Sequence, residues 1–369
     1  MPIITNGSKA KVLVTGVSGY VATWVARVLL ERGHDVVGTV RSDAKGKQVA
    51  VVFEKLGYTN GRFKWVVIED IAQEGAFDEF VKDIDAIAHV ASPFHYNAVD
   101  PQELIRPAVD GTIGVLESAR KFGTLVRRVV VTSSTAAVYQ VSPDPITLDE
   151  SSWGDQAVQE VEAKGKDTPA ATKYRASKTL AERAVWNYCE THKGKLKFDV
   201  TALNPSMVYG PEAGLLTSPS SLGTSAGAWF KTITTTEPDA TGLTHDALSN
   251  KSVSWIDVRD LAEAHARAFE REEAGGERII IAYSPSSWQQ WLDVANAINP
   301  TSRPLAKGVP GLGADLPARI TYLVGKAERI LGISHTAPGR PTNGEGLFKY
   351  HSLEETSRDT LKDYEERGW

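Results

Sequence analysis

A serine, a tyrosine and a lysine in this chain have the types and spacing needed to donate a proton to an oxygen. Ser134 follows a run of β-branched residues, and Tyr174 and Lys178 stand four positions apart. On a helix, that spacing places two side chains on one face, one turn apart. A phenol with a pKa of ~10 is a weak acid at neutral pH unless a nearby cation stabilises its anion. Lys178 supplies the cation and Ser134 can bind the same oxygen, so the trio predicts catalysis of carbonyl reduction.

A second group of residues has the spacing of a turn that binds the pyrophosphate of a dinucleotide. Gly16, Gly19 and Ala22 lie between an apolar strand and a helix. The first position permits a tight turn, the second lets the backbone approach the phosphates, and the third keeps the helix close to the sheet. The free N–H groups at the start of the helix then bind the anion. We expect the cofactor contacts in this turn to come from Gly16, Ser18, Gly19, Tyr20 and Val21.

The residue after the second strand indicates which dinucleotide is bound. An acidic residue there would bond a ribose 2′-hydroxyl, but this chain has Arg41, and Lys45 follows one turn later. A guanidinium is suited to a 2′-phosphate and can stack on adenine. The alternative is a solvated surface arginine. The pattern favours NADPH as the cofactor.

Short apolar strands alternate with helices over the first two hundred residues. The expected strands are 10–15, 36–40, 63–68, 86–90, 128–132, 198–203 and, later in the chain, 278–282. The expected helices are 20–31, 105–122, 177–192, 288–298 and 318–331, and Asp257 is expected to cap a further helix within 253–270. Such alternation implies right-handed crossovers between parallel strands. We therefore predict an α/β fold: a Rossmann doubly wound parallel sheet with a smaller, discontinuous C-terminal substrate lobe.

The pattern loosens after Asn204, which suggests two units with a ligand cleft between them. We expect an NADP-binding Rossmann domain over 1–205, to which 251–283 return. The smaller substrate-binding lobe would comprise 206–250 and 284–369. The charge-rich segment 354–367 is expected to be a terminal helix whose charges form a solvated face.

Composition excludes several other classes of protein. The 369 residues carry 41 Lys and Arg against 46 Asp and Glu, a net charge of −5 that argues against nucleic acid or an anionic membrane as partner. No stretch approaches the ~18 apolar residues of a membrane span. A single cysteine, Cys189, forms no intramolecular disulfide, so we expect a cytoplasmic protein, monomeric or homodimeric, without a metal site.

The same motifs resemble those of the extended short-chain dehydrogenases/reductases. The resemblance is to the branch of dihydroflavonol reductases, cinnamoyl-CoA reductases and fungal NADPH-dependent methylglyoxal, aldehyde and ketone reductases. It is carried by segments 14–22, 89–94, 128–134, 174–178, 203–211 and 256–260. It implies an NADPH-dependent reductase with a small carbonyl substrate and the catalytic residues Ser134, Tyr174 and Lys178.

The resemblance also implies positions along the cofactor that spacing alone does not indicate. Asp70 and Ile71 would lie beside the adenine, and Ala91 and Ser92 along the cofactor. Pro205 and Val208 would lie at the nicotinamide side, and Ser225 would touch the cofactor.

Three alternatives stay open or are set aside. A nucleotide-sugar epimerase or dehydratase of the same superfamily would share the catalytic trio, and a regulator that senses NADP would need no intact trio. Gly223, Ser225 and Gly227 match the nucleophile elbow of serine hydrolases, but no strand precedes them. His89 follows an apolar strand and is expected to be a hydrogen-bonded core residue rather than a ligand.

Overall fold

The computed structural model describes residues 4, 9–59, 61–92, 97–236, 248, 253–299, 303–312 and 318–369. Segments 237–247, 249–250, 300–302 and 313–317 of the expected lobe, and 251–252 of the segment expected to return to the Rossmann domain, lie outside the described residues. No described helix is both long and apolar enough to cross a bilayer.

The described residues form nine α-helices and fourteen strands, numbered here in chain order. The helices are α1 (Tyr20–Glu31), α2 (Asp43–Lys55), α3 (Gln102–Phe122), α4 (Asp155–Lys164), α5 (Ala170–Thr191), α6 (Thr224–Thr234), α7 (Val258–Glu270), α8 (Trp288–Ile298) and α9 (Leu353–Glu366). The strands are β1 (Lys11–Val14), β2 (Asp35–Val40), β3 (Phe63–Val67), β4 (Ala86–His89), β5 (Arg128–Thr132), β6 (Ile146–Leu148), β7 (Asp199–Pro205), β8 (Met207–Tyr209), β9 (Val253–Asp257), β10 (Arg278–Ile281), β11 (Pro285–Ser286), β12 (Ile320–Tyr322), β13 (Ile333–Ser334) and β14 (Phe348–Lys349).

Seven strands form one sheet in the order β10-β7-β5-β4-β1-β2-β3. Every neighbouring pair in it is parallel. The chain runs outward from β1 through β2 and β3, then returns to the other side of β1 with β4. Ligands of such sheets bind where the direction reverses, beyond the carboxyl ends of the strands. The predicted Rossmann doubly wound sheet is confirmed.

Helices cover both faces of the sheet and divide the main core into two layers. Helices α1 and α7 pack together on one face, and α3 and α5 pack together on the other. Helix α7 is buried along almost its whole length, and the Asp257 carboxylate caps it by accepting the Arg259 N–H at 2.8 Å, as the sequence predicts.

A third cluster of buried side chains is rich in aromatic residues and lies around β8, α6, α8 and α9. Trp229, Trp255 and Trp291 are its largest buried members. By contrast, Ala327, Leu331 and Phe348 pack into the same cluster as β1 and α1. Part of the chain after 284 therefore packs against the seven-stranded unit.

One expectation about the C-terminal part is wrong. Residues 318–331 do not form a helix: Ile320–Tyr322 is a strand paired with β6, and Ala327–Leu331 is a short π-helical turn. Gly325 separates the two, and glycine interior to a helix is unfavourable. The charge-rich terminal segment does form a helix, α9, with one charged face exposed, while Leu361 and Tyr364 bury its other face against the aromatic cluster.

Candidate active site

A cleft of about 1700 Å³ lies at the carboxyl edge of the sheet. All predicted site residues except Asp70 line it. They are Gly16, Ser18, Gly19, Tyr20, Val21, Arg41, Lys45, Ile71, Ala91, Ser92, Ser134, Tyr174, Lys178, Pro205, Val208 and Ser225. The fold thus brings together residues that are more than two hundred positions apart.

The turn between β1 and α1 has no room for larger side chains. Gly16 has φ +67°, and a Cβ there would lie 3.1 Å from the Cβ of Ala91. A Cβ on Gly19 would lie 3.2 Å from the carbonyl oxygen of Gly16, which accepts the Gly19 N–H at 2.8 Å. Glycine at both positions therefore keeps the backbone open at the start of α1, where N–H groups can bind an anion.

His89 is joined to this turn through a hydrogen bond with the Thr15 side chain. It is buried and lies 3.1 Å from the Thr15 hydroxyl and 3.3 Å from that of Thr112. The Thr15 hydroxyl accepts the N–H groups of Val90 and Ala91 at 3.0 and 2.9 Å. Burial, with the Lys178 charge nearby, lowers the pKa of His89 to about 3. The imidazole is therefore neutral and acts as a hydrogen-bonded core residue, as the sequence predicts.

Two exposed cations, Arg41 and Lys45, line the cleft beyond the end of β2. Asp70 is exposed and outside the lining, and its carboxylate accepts the Ala72 N–H at 2.9 Å. Its neighbour Ile71 does reach the cleft. An apolar side chain beside two cations suits an adenosine that carries a phosphate.

Helix α5 presents one continuous face to the cleft. Ala171, Tyr174, Arg175 and Lys178 all line it, and their spacing of i, i+3, i+4 and i+7 is that of one helix face. Ser134 approaches from β5, where it begins a short 3₁₀ turn and its hydroxyl accepts the Ala136 N–H at 3.1 Å. The three predicted catalytic side chains therefore face a common space.

Lys178 is held in an environment that disfavours its charge. It is 7% exposed, and its Nζ donates to the carbonyl oxygen of Thr132 at 3.4 Å. Burial lowers the pKa of Lys178 to about 8, while the charge of Glu182 acts in the opposite direction. The ammonium is thus still largely present at neutral pH and close to its titration point.

Glu182 belongs to a buried network that the sequence does not reveal. Its carboxylate accepts the Ser133 hydroxyl at 2.6 Å and the Asn204 amide at 2.7 Å. The same amide nitrogen lies 3.1 Å from the carbonyl oxygen of Ser134. Arg278 forms an ion pair with Glu182 and donates to two backbone carbonyls. Because Glu182 is one turn beyond Lys178, the network joins the lysine's helix to the backbone that carries Ser134.

The model of the NAD dependent epimerase/dehydratase family matches residues 12–282. The chain belongs to this family. The match includes the glycine turn, the Ser134 strand and helix α5, which are the elements that meet at the cleft.

Several proteins that this chain resembles are named as reductases. A ketoreductase of Aspergillus niger is 36% identical over 339 residues, which cover 89% of this chain and 94% of that protein. The NADPH-dependent methylglyoxal reductase of Saccharomyces cerevisiae is 31% identical over 360 residues, 95% of this chain and 96% of that one. A crystal structure of yeast methylglyoxal/isovaleraldehyde reductase complexed with NADPH superposes with a TM-score of 0.77, at 29% identity, over 97% of this chain and 99% of the other.

Tyr139 and Tyr322 also line the cleft, although no sequence motif singles them out. The ring of Tyr139 lies 3.9 Å from the guanidinium carbon of Arg175. Tyr322, on β12, forms a hydrogen bond with the Thr135 side chain, and burial raises the pKa of Tyr322 to about 12. Strand β12 joins this part of the lining because it pairs with β6. No short motif marks such contacts, since they join segments far apart in the chain.

A cluster of Asp257, Asp260 and His351 places potential metal ligands within 4.8 Å of one another. The carboxylate of Asp257 accepts from Arg259 and from the Thr356 hydroxyl. The Asp260 carboxyl group is hydrogen-bonded to the His351 ring and accepts the backbone N–H of His351 at 2.8 Å. These internal bonds fasten the segment before α9 to α7, outside the cleft lining.

Proposed function

We propose that this protein is an NADPH-dependent carbonyl reductase that converts aldehydes or ketones to alcohols. The observation that carries the proposal is the convergence of Ser134, Tyr174 and Lys178 with the glycine turn in one cleft. Similarity to an NADPH-dependent methylglyoxal reductase and to a ketoreductase supports it.

The residues present fit NADPH. Gly16 and Gly19 leave space that a Cβ would fill, so a pyrophosphate can lie against the first N–H groups of α1. Arg41 and Lys45 would bind the 2′-phosphate, and Pro205 and Val208 would lie at the nicotinamide. When bound, NADPH supplies the hydride that reduces the carbonyl carbon.

The chain's own residues would bind the carbonyl oxygen and deliver a proton. Ser134 and Tyr174 donate hydrogen bonds to the oxygen, which polarises the carbonyl and orients it. As negative charge develops on the oxygen, Tyr174 transfers its phenolic proton to it and the alcohol forms. The Lys178 ammonium stabilises the resulting tyrosinate, and its burial strengthens that interaction because little water screens it.

We further propose a division of labour along the chain. Residues 1–205 and 251–283 would bind the cofactor, and 206–250 and 284–369 would contribute to binding the substrate. Ala327 and Leu331 of the second region pack in the same cluster as β1 and α1, which supports a position beside the cofactor-binding part for that portion of the chain.

A screen with Tyr174→Phe tests the proposal. Purified protein, NADPH and a panel of aldehydes, α-dicarbonyls and aryl ketones are mixed, and nicotinamide absorbance is followed. We expect turnover by wild type, loss of at least ~100-fold in Tyr174→Phe, and unchanged NADPH binding, because only the proton donor is removed. Tyr58→Phe, outside the cleft lining, is the control. Retained turnover in Tyr174→Phe would exclude Tyr174 as the proton donor.

Two other outcomes would indicate the alternative functions. Turnover of nucleotide sugars without net NADPH consumption would indicate an epimerase, and NADPH binding without turnover of any substrate would indicate a regulator.

A further inference from the structure

The charged side chains that line the described part of the cleft all have the same sign. They are Arg41, Lys45, Arg175, Lys178 and Arg319, and the described lining contains no aspartate or glutamate. The whole chain carries a net charge of −5, so the charge of the cleft lining is opposite in sign to the net charge of the chain. Such a cleft concentrates anions and disfavours cations.

The proposed function assigns a role to three of these cations, which are Arg41, Lys45 and Lys178. Arg41 and Lys45 follow β2, whereas the Ser134 segment follows β5, and β1 and β4 lie between those two strands. Three strand spacings amount to ~14 Å, so the 2′-phosphate end is well separated from the catalytic serine. Arg175 lies on the Tyr174 face of α5 and stacks on Tyr139, five residues beyond Ser134. It therefore lies at the substrate end.

Among the described residues, none that lines the cleft competes for the N–H groups of Arg175 as a carboxylate would. The guanidinium carbon lies 3.9 Å from the ring centre of Tyr139, over its face. Stacking uses the face of the guanidinium and not its in-plane N–H groups, which match the geometry of a carboxylate or phosphate. The side chain is half-buried, so an anion bound there would be only partly screened by water.

The surrounding wall adds donors but no negative charge among the described residues. Tyr322 stays neutral across the physiological range, because burial raises its pKa to about 12. Arg319, at the exposed rim, donates to the Pro143 carbonyl oxygen at 2.9 Å and adds a second positive charge. The substrate end is thus polar, aromatic and cationic.

We infer that Arg175 binds an oxyanion on the substrate, so that the preferred substrates are aldehydes or ketones that also carry a carboxylate or phosphate group. This inference rests on the proposed reductase function of the same cleft. Arg175 acts as a specificity residue, with Arg319 as a weaker outer contact.

Three aldehydes that differ in one substituent test the inference: 4-formylbenzoate, 4-formylphenyl phosphate and methyl 4-formylbenzoate. We expect wild type to favour one or both anions over the ester in kcat/KM. Arg175→Gln should reduce that preference about tenfold, mainly through KM, because one charge-assisted contact is lost. Reduction of the ester, which offers Arg175 no anion, should fall by much less than reduction of the two anions. Arg175→Lys should recover part of the preference. Arg106→Gln, an exposed arginine outside the lining, removes the same charge and should change nothing.

The outcomes separate the inference from the proposed function. If Arg175→Gln still reduces the ester and keeps the wild-type preference for the anions, the inference is overturned and the reductase function is left intact. Weaker NADPH binding by Arg175→Gln would also overturn it, since the arginine would then be a cofactor contact. If wild type reduces no carbonyl compound, the proposed function fails. Calorimetric binding of 4-formylbenzoate and of the phosphate to wild type and Arg175→Gln then tests the anion contact separately, and equal binding by the two proteins would overturn that contact as well.

Discussion

Replacing Glu182 with glutamine should move the pH dependence of the reaction without removing its machinery. Glu182 opposes the effect of burial on Lys178, whose pKa is about 8. At ~6 Å, the separation of side chains one helical turn apart, and an effective dielectric constant of ~20, two unit charges interact by ~3 kcal/mol. That energy equals ~2 pKa units, and the charge of Arg278 does not alter the difference because it is present in both proteins. We therefore expect the pKa of Lys178 to fall by about two units in Glu182→Gln.

The direction of the change follows from the form of lysine that is needed. The proposed reaction uses the protonated amine, so activity falls as pH rises through the lysine's pKa. A pKa lowered by about two units leaves ~1% of the lysine protonated at pH 8, against ~50% in wild type. We expect kcat/KM of Glu182→Gln to be about fiftyfold lower than wild type at pH 8 and only about twofold lower at pH 6.

A matched variant distinguishes this electrostatic effect from damage to the fold. Glu263 is also a buried carboxylate, paired with Arg32 and Arg267, but lies outside the cleft lining. Glu263→Gln should lower Tm as Glu182→Gln does, and its pH profile should match wild type. An alkaline limb that stays in place in a folded Glu182→Gln protein with normal NADPH binding would refute the reasoning.

Two further predictions concern the cofactor. Arg41→Ala should raise KM for NADPH about tenfold and leave KM for NADH nearly unchanged, because NADH offers no 2′-phosphate to the guanidinium. Equal weakening of NADPH and NADH would mean that Arg41 acts through adenine stacking or folding. Gly16→Ala should weaken NADPH binding and lower the free energy of unfolding by at least 1–2 kcal/mol, roughly the cost of the left-handed conformation, because its Cβ would also crowd Ala91. Gly33→Ala, at φ +93° with nothing within 4 Å, isolates the conformational cost and should bind NADPH normally; equal binding losses in both variants would contradict the crowding argument.

Features encoded within one segment could be predicted from the sequence. Helices 20–31 and 288–298 have the predicted bounds, because each has an amphipathic period and a clear start. The strands of the large sheet could be predicted because they are short apolar runs between turn residues. The glycine turn and the Tyr174–Lys178 pair could be predicted because their geometry is local.

Features that join distant segments could not be predicted. The strand at 320–322 has too few residues for its alternation to stand out, and its partner β6 lies some 170 residues earlier. The stacking of Arg175 on Tyr139 and the ion pair of Glu182 with Arg278 also depend on how helices and strands meet. In a sequence, such residues are indistinguishable from ordinary polar residues of a helix or strand.

The pairing of β6 with β12 determines how this enzyme can be recombined with its relatives. The Ile146 N–H donates to the Arg319 carbonyl oxygen at 2.9 Å, and the Leu323 N–H donates to that of Leu148 at 2.9 Å. A chimera that exchanges only one of the two strands must re-form this ladder with an unmatched partner and risks leaving polar backbone groups unsatisfied. The two strands are therefore best inherited as one cassette, although they are encoded far apart. A donor's pair, moved together, would replace part of one wall of the cleft while the glycine turn and helix α5 stay as they are.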